Sequence, residues 1–353
     1  MKIKNPFTFQ VDYERDNIFR KATEKEKQEE SFMRPSTTFF GDAIRRFKRN
    51  KIAVISFFFI IFILSIILIV PEIYPYSYEQ QLGIVPGRPV DASFGYLPPF
   101  QFSVTEQARI AAGEFIWPHI FGTDNLGRDY FIRVIMGARV SLLVGFFAAL
   151  IVLIIGSIYG SISAFAGGKI DMVMMRIVDV IYSLPDMIII ILLSVVLGKL
   201  FDFEGTIFAE VGASLISIFI VYGLLYWVGM ARLVRGQVLS IKQTEYILAS
   251  RSIGSTPAYV IRKHILPNCL SVIVVSATLQ VPSAIFTESF LSFIGLGVNA
   301  PMPSLGSLAS ENVTQISFRP YLLFIPALFI CFIVLALNLM GDGLRDAFDP
   351  KQR

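Results

Sequence analysis

The chain has 353 residues, 54% of them hydrophobic and 16% charged, with a net charge of +4. A soluble domain carries about 25% charged residues, and a mean hydropathy of +0.63 points the same way, so composition excludes an ordinary soluble enzyme and indicates an integral membrane protein. The basic residues stand beside apolar runs, which ties their excess to membrane topology and not to a nucleic-acid partner.

In chain order, residues 1–51 read as a polar cytoplasmic tail with a Lys/Glu-rich run at Lys21–Glu30 and no apolar signal-peptide core. Arg45, Arg46, Lys48, Arg49 and Lys51 stand directly before the first apolar run. Crossing a bilayer takes about 20 apolar residues in a helix. Six stretches qualify: Ile52–Val70, Val140–Phe165, Met174–Leu197, Val211–Ala231, Cys269–Phe293 and Tyr321–Met340. Between the first and second lies an extracellular segment, 71–139, Pro- and Gly-rich at first. Near its end Leu126, Tyr130, Phe131, Val134 and Ile135 share a helical face, with Arg128, Asp129 and Arg133 mostly off it, which predicts an interfacial amphipathic helix. The second helix carries Gly145, Gly156 and Gly160, read as close-packing positions. Residues 140–341 form the membrane core and 342–353 a cytoplasmic tail.

Lys/Arg bias sets the orientation. Arg45–Lys51 places the N-terminus inside, and the loop after the fourth helix, with Arg232, Arg235, Lys242, Arg251, Arg262 and Lys263, is inside too. Six crossings return the C-terminus to the cytoplasm. The expected fold is therefore all-α, with six transmembrane helices and both termini cytoplasmic.

Charges within the membrane are expensive and face a bundle interior or a cavity. Arg176 and Asp179, one turn apart, read as a structural ion pair. Asp186, deeper and without a local partner, is a candidate for the translocation path. Glu288, near the outer end of the fifth helix, is a second candidate, although a solvated or interhelical polar anchor is the preferred reading. With only His119 and His264, and with Cys269 and Cys331 lacking ligand spacing, no metal centre and no disulfide are expected.

The loop 245–268 is the most informative segment. Glu245 to Gly254 has helical composition and ends on a glycine suited to a helix stop. Thr256 and Pro257 suit the start of a second short helix, expected to end near Pro267. Tyr246, Ile247, Ala249 and Ile253 would offer a partner an apolar face. This loop resembles the EAA loop of bacterial ABC importer permeases: Leu248, Ala249 and Ser250 fill the triplet, Gly254 the glycine, and Leu266-Pro267 the ending. Leu248 replaces the family's Glu, which Glu245, one turn earlier, is placed to substitute, and His264 replaces its Ile.

Four further segments resemble the dipeptide/oligopeptide/nickel type of these permeases. They are Phe121 to Gly145, with Asp124, Arg128, Asp129, Arg133, Arg139 and Ser141; Arg176 to Pro185; Glu288 to Gly306; and Asn338 to Pro350. Together they resemble specifically the "C" subunit of an oligopeptide or dipeptide importer, of type I ABC architecture. It implies a homologous second permease subunit, two ABC ATPase subunits that hold ATP and Mg, an extracellular substrate-binding protein and membrane lipid. The chain has no Gly-x-x-x-x-Gly-Lys-Ser/Thr motif and so no P-loop for ATP; neither catalytic residue nor cofactor is expected on it. Rival expectations are the same architecture importing nickel or another small solute, a membrane-embedded enzyme built on Asp179, Asp186 and Glu288, and a passive channel.

Overall fold

The computed structural model describes residues 39–85, 89–200, 213–298 and 302–348. The N-terminal tail before residue 39, the acidic loop 201–212 and the last five residues lie outside the described set. Contacts divide the chain into two units, Met1–Asp42 and Ala43–Arg353, and the architecture below is that of the second.

The described residues are helical, with one isolated bridge, Thr123 to Asp129. In chain order the helices are α1 (Phe39–Arg49), α2 (Lys51–Ile73), α3 (Val104–Ala111), α4 (Tyr130–Ala166), α5 (Gly168–Tyr182), α6 (Asp186–Leu200), α7 (Ala213–Val221), α8 (Trp227–Ile241), α9 (Glu245–Ser252), α10 (Pro257–Val260), α11 (Leu266–Phe293), α12 (Leu305–Glu311) and α13 (Tyr321–Phe348). A π-helical turn, Tyr222–Tyr226, joins α7 to α8, and another, Ile261–Ile265, joins α10 to α11. Among the described residues five helices are long and apolar enough to cross a membrane: Lys51–Ile73, Tyr130–Ala166, Ile218–Ile241, Pro257–Phe293 and Tyr321–Phe348.

The third expected crossing, Met174–Leu197, is instead two 15-residue helices, α5 and α6, parted at Ser183–Pro185. Pro185 supplies no N–H and drives Leu184 away from helical backbone, which explains the break. The expected interfacial helix is not a separate element either. Its residues form the first turns of α4, which runs 37 residues, about 55 Å at helical rise. Tyr130, Val134 and Ile135 are buried in the fold and so is Arg133, whereas Leu126 is exposed.

α4 packs on α8 and α11, α11 on α13, and α13 on α2. In α2 the buried positions are Ala53, Ser56, Ile60, Ile63 and Ile67, spaced alternately three and four apart, a single stripe on one helix face. Ile55, Phe58, Phe62 and Leu68 on its other faces are exposed, as lipid contact requires. On α4 the predicted close packing is present. A Cβ at Gly156 would stand 2.8 Å from the Trp227 carbonyl, and one at Gly160 would collide with that of Ala231, so α4 and α8 meet backbone to backbone.

The start of α4 carries a cap built from residues 74–129. Asp129 caps α4, accepting from Ile132 N at 3.1 Å, and its other oxygen lies 2.7 Å from His119 Nδ1. His119 Nε2 lies 3.1 Å from Glu106 Oε1, and Glu106 belongs to the Ser103 capping box of α3. Beside this cluster Asp124 accepts from Leu126 N and Arg128 N, and also from Arg128 Nε and Arg133 Nη1, both at 2.6 Å. Arg133 continues to Glu311 of α12 at 2.9 and 3.2 Å. The motif Phe121–Arg133 is thus a structural knot that seats cap and α12 on the first turns of α4.

Candidate functional site

The opposite end of α4 carries a foot. α8 runs ten residues past the expected end at Ala231, to Ile241. There Lys242 Nζ donates to the Ala164 and Phe165 carbonyls at 3.1 and 2.7 Å, closing the C-terminus of α4 with a cation. Nearby, Arg235 grips Asp171 of α5 through Nε and Nη2, both at 2.7 Å. The chain turns into α9, and Ser250 Oγ reaches Ser255 Oγ at 3.0 Å across the bend. Gly254 makes that bend at φ +88, backbone that a side chain resists.

Thr256 then caps the next helix by accepting from Tyr259 N, with Pro257 in its first turn. The expected stop near Pro267 is absent. α10 flows through the π turn into α11, and Pro267 lies in the first turn of α11, directly after that π turn.

Four apolar side chains fix the foot from within: Ile247, Val260 and Ile265, all fully buried, and half-buried Leu266. Ile247 therefore does not belong to the outward face assigned to it from sequence. That face consists of Tyr246, Leu248, Ala249, Ile253 and Tyr259, with Ile253 84% exposed. Glu245 is exposed in the first turn of α9. The Tyr246 hydroxyl accepts from Asn268 Nδ2 at 3.3 Å, joining α9 to the base of α11. The foot is thus joined to α8 by the chain and to α11 by both the chain and this hydrogen bond.

The intramembrane charges fall differently from expectation. Asp179 pairs with Arg232 of α8 at 2.7 Å, not with Arg176; the neighbouring helix lies closer to its carboxylate than the next turn of its own. Glu288 is not solvated: it is fully buried and takes hydrogen bonds from Ser141 and Ser292 at 2.7 Å and from Ser289 at 3.3 Å. It anchors α11 to α4. Asp179 and Glu288 have separate partners, so the structure does not assemble the carboxylate site of the enzyme reading. Asp186 opens α6, and its side chain lies outside the described set.

A cavity of about 560 Å³ does open at the break between α5 and α6. Tyr182, Pro185, Tyr226, Gly229, Gln280 and Ser283 line it, so it touches α8 and α11, the two helices that leave the foot. Sequence reading missed it. Its signals were Gln280 and Ser283, polar residues flanking Pro282 in an apolar run, and the Leu184-Pro185 interruption.

The family described as "Binding-protein-dependent transport system inner membrane component" matches residues 156–353, and "N-terminal TM domain of oligopeptide transport permease C" matches residues 38–99. The dipeptide transport system permease protein DppC of Bacillus subtilis is 42% identical over 96% of this chain and 94% of its own length. The oligopeptide transport system permease protein OppC of the same organism is 39% identical over 96% and 98%. OppC of Haemophilus influenzae is 40% identical over 88% of each chain. With five apolar helices long enough to cross a membrane and similarity along nearly the whole chain, this protein belongs to the family of multi-pass cytoplasmic-membrane permeases of binding-protein-dependent transport systems.

Proposed function

We propose that this chain is the "C"-type permease subunit of an ATP-driven importer of dipeptides or oligopeptides, and that its foot is where a separate ATPase applies force. The observation that carries the reading is the foot itself: an exposed apolar face on a short helix whose inner side is locked into α4, α8 and α11. Basic residues at Arg45–Lys51 and around the foot assign that end to the cytoplasm and the cap to the outside.

In this account two ATPase subunits bind ATP with Mg, close, and push the face at Leu248, Ala249 and Ile253. α8 and α11 tilt, and the cavity between them and the α5–α6 break alternates its access. A homologous second permease subunit completes the path, and an extracellular binding protein delivers the solute. Peptide is preferred to nickel because the relatives above are named for dipeptide and oligopeptide transport. Deleting the gene and measuring uptake of labelled di- to pentapeptides and of nickel by whole cells tests this. Peptide uptake should vanish and return with the wild-type gene. Loss of nickel uptake with peptide uptake intact would refute the peptide assignment.

A further inference from the structure

A second hollow, of about 270 Å³, lies at the cap end between α2 and α4. Its walls include Pro71 from the last turn of α2, Tyr74, Tyr76 and Tyr78 from the chain that follows, and Met136 and Arg139 from α4. Arg139 stands nine residues after Tyr130, about 14 Å along the helix.

The neighbouring cations all have partners: Arg128 and Arg133 hold Asp124, Arg109 holds Glu114, and Arg319 lies over the Tyr96 ring. Arg139 is half-buried and, among the described residues, makes no hydrogen bond, ion pair or ring contact. The tyrosine hydroxyls do not serve it. That of Tyr74 lies 3.2 Å from both Pro118 O and Asp129 Oδ2, and that of Tyr76 donates to Trp117 O at 2.7 Å. The hollow therefore presents apolar ring surface and one uncompensated guanidinium, which is unfavourable until an anion joins it.

A guanidinium presents a planar fork that matches phosphate oxygens. The volume falls below the roughly 300–1,000 Å³ of pockets for larger organic ligands, which suits a headgroup and not a peptide. Leu68, Ile69 and Ile73 of α2, next to Pro71, are exposed and offer acyl chains a track leading from the hollow. Tyrosine is also the side chain that settles at the headgroup level.

We propose that Arg139 and this tyrosine-walled hollow bind a phosphate-bearing anion, and that the placement favours the headgroup of an acidic phospholipid as its source. The test is native mass spectrometry of the purified, assembled transporter after detergent exchange. The probes are phosphatidylglycerol, a phosphate-free diacyl glycolipid and inorganic phosphate. Phosphatidylglycerol should stay bound to the wild type, and occupancy should fall about tenfold in Arg139→Gln, with Arg139→Lys between them. Met136→Trp, which fills the hollow and keeps the arginine, should lose the lipid as well, at wild-type melting temperature. Displacement by millimolar inorganic phosphate would keep the site and assign it to free phosphate. Equal phosphatidylglycerol retention by wild type, Arg139→Gln and Met136→Trp, or glycolipid retention with the same dependence on Arg139, would overturn the proposal.

Discussion

At the scale of residues, the chain places its buried charges where polar partners surround them. His119 is the sharpest case. Burial alone would lower its pKa, but the hydrogen bonds to Asp129 and Glu106 outweigh burial and hold it at about 9, above the ordinary 6.5. Burial likewise raises Glu106, yet its hydrogen bond with His119 leads the contacts that bring it below its ordinary value. The folded cap thus prefers imidazolium between two carboxylates. That contribution is fully present below pH 6.5 and is lost as pH rises through about 9. Thermal unfolding of the purified protein should show a melting temperature that falls across this interval. His119→Gln should melt lower at pH 6.5 and lack the alkaline fall assigned to this group. A wild-type profile shared by the variant would refute the cluster's role. Sequence had set His119 aside because two histidines build no metal centre. Its partners are 10 and 13 residues away, across irregular chain where no periodicity pairs them. Glu288 was visible as a charge in an apolar run, but Ser141, 147 residues distant, was not visible as its partner.

At the scale of elements, apolar length was legible and continuity was not. The stretches rich in Ile, Leu, Val and Phe are the helices, because satisfying the backbone in lipid leaves few alternatives. Their ends moved wherever polar residues continue a helix beyond the apolar run. α4 begins ten residues before Val140 because Arg133 is neutralised by Asp124 and Glu311, and so can be buried in a helix that hydropathy would have ended. The α5–α6 break was announced by Leu184-Pro185 but outvoted by the apolar residues on either side. The glycines of α4 were read correctly: at Gly156 and Gly160 a Cβ would run into the α8 backbone. Gly160→Val should drive a side chain into the α8 backbone and cost about 1–3 kcal/mol, lowering the melting temperature of the membrane-extracted protein. Gly236→Ala on α8, where a Cβ meets open space, is the control and should melt no lower than wild type. Equal melting of Gly160→Val and wild type would show that the α4–α8 contact is looser than described.

At the scale of the whole molecule, the long α4 separates two kinds of construction. The cap end is held by ion pairs and helix caps, and it carries the motif from Phe121 to Arg133. The foot end buries only a few side chains and leaves its apolar face outward. The shape of the EAA-like loop was legible even though Leu248 replaces the family's Glu, because Gly254, Thr256 and Pro257 fix it independently of that residue. Of the outward face read from sequence, Tyr246, Ala249 and Ile253 are exposed, but two turns of helix do not reveal that Ile247 points into the bundle and Leu248 away from it. The 560 Å³ cavity was hidden for a related reason, since its walls come from four segments spread over about a hundred residues of chain. The central claim is that energy enters through the exposed foot and reaches α8 and α11. Ile253→Asp tests it most directly, because the side chain is 84% exposed and the change should leave insertion and melting unaltered. In proteoliposomes of the assembled importer, ATP-driven peptide uptake should fall on the order of 100-fold, as an unpaired charge forced into an apolar contact requires. Uptake at the wild-type rate by correctly inserted Ile253→Asp protein would contradict the account.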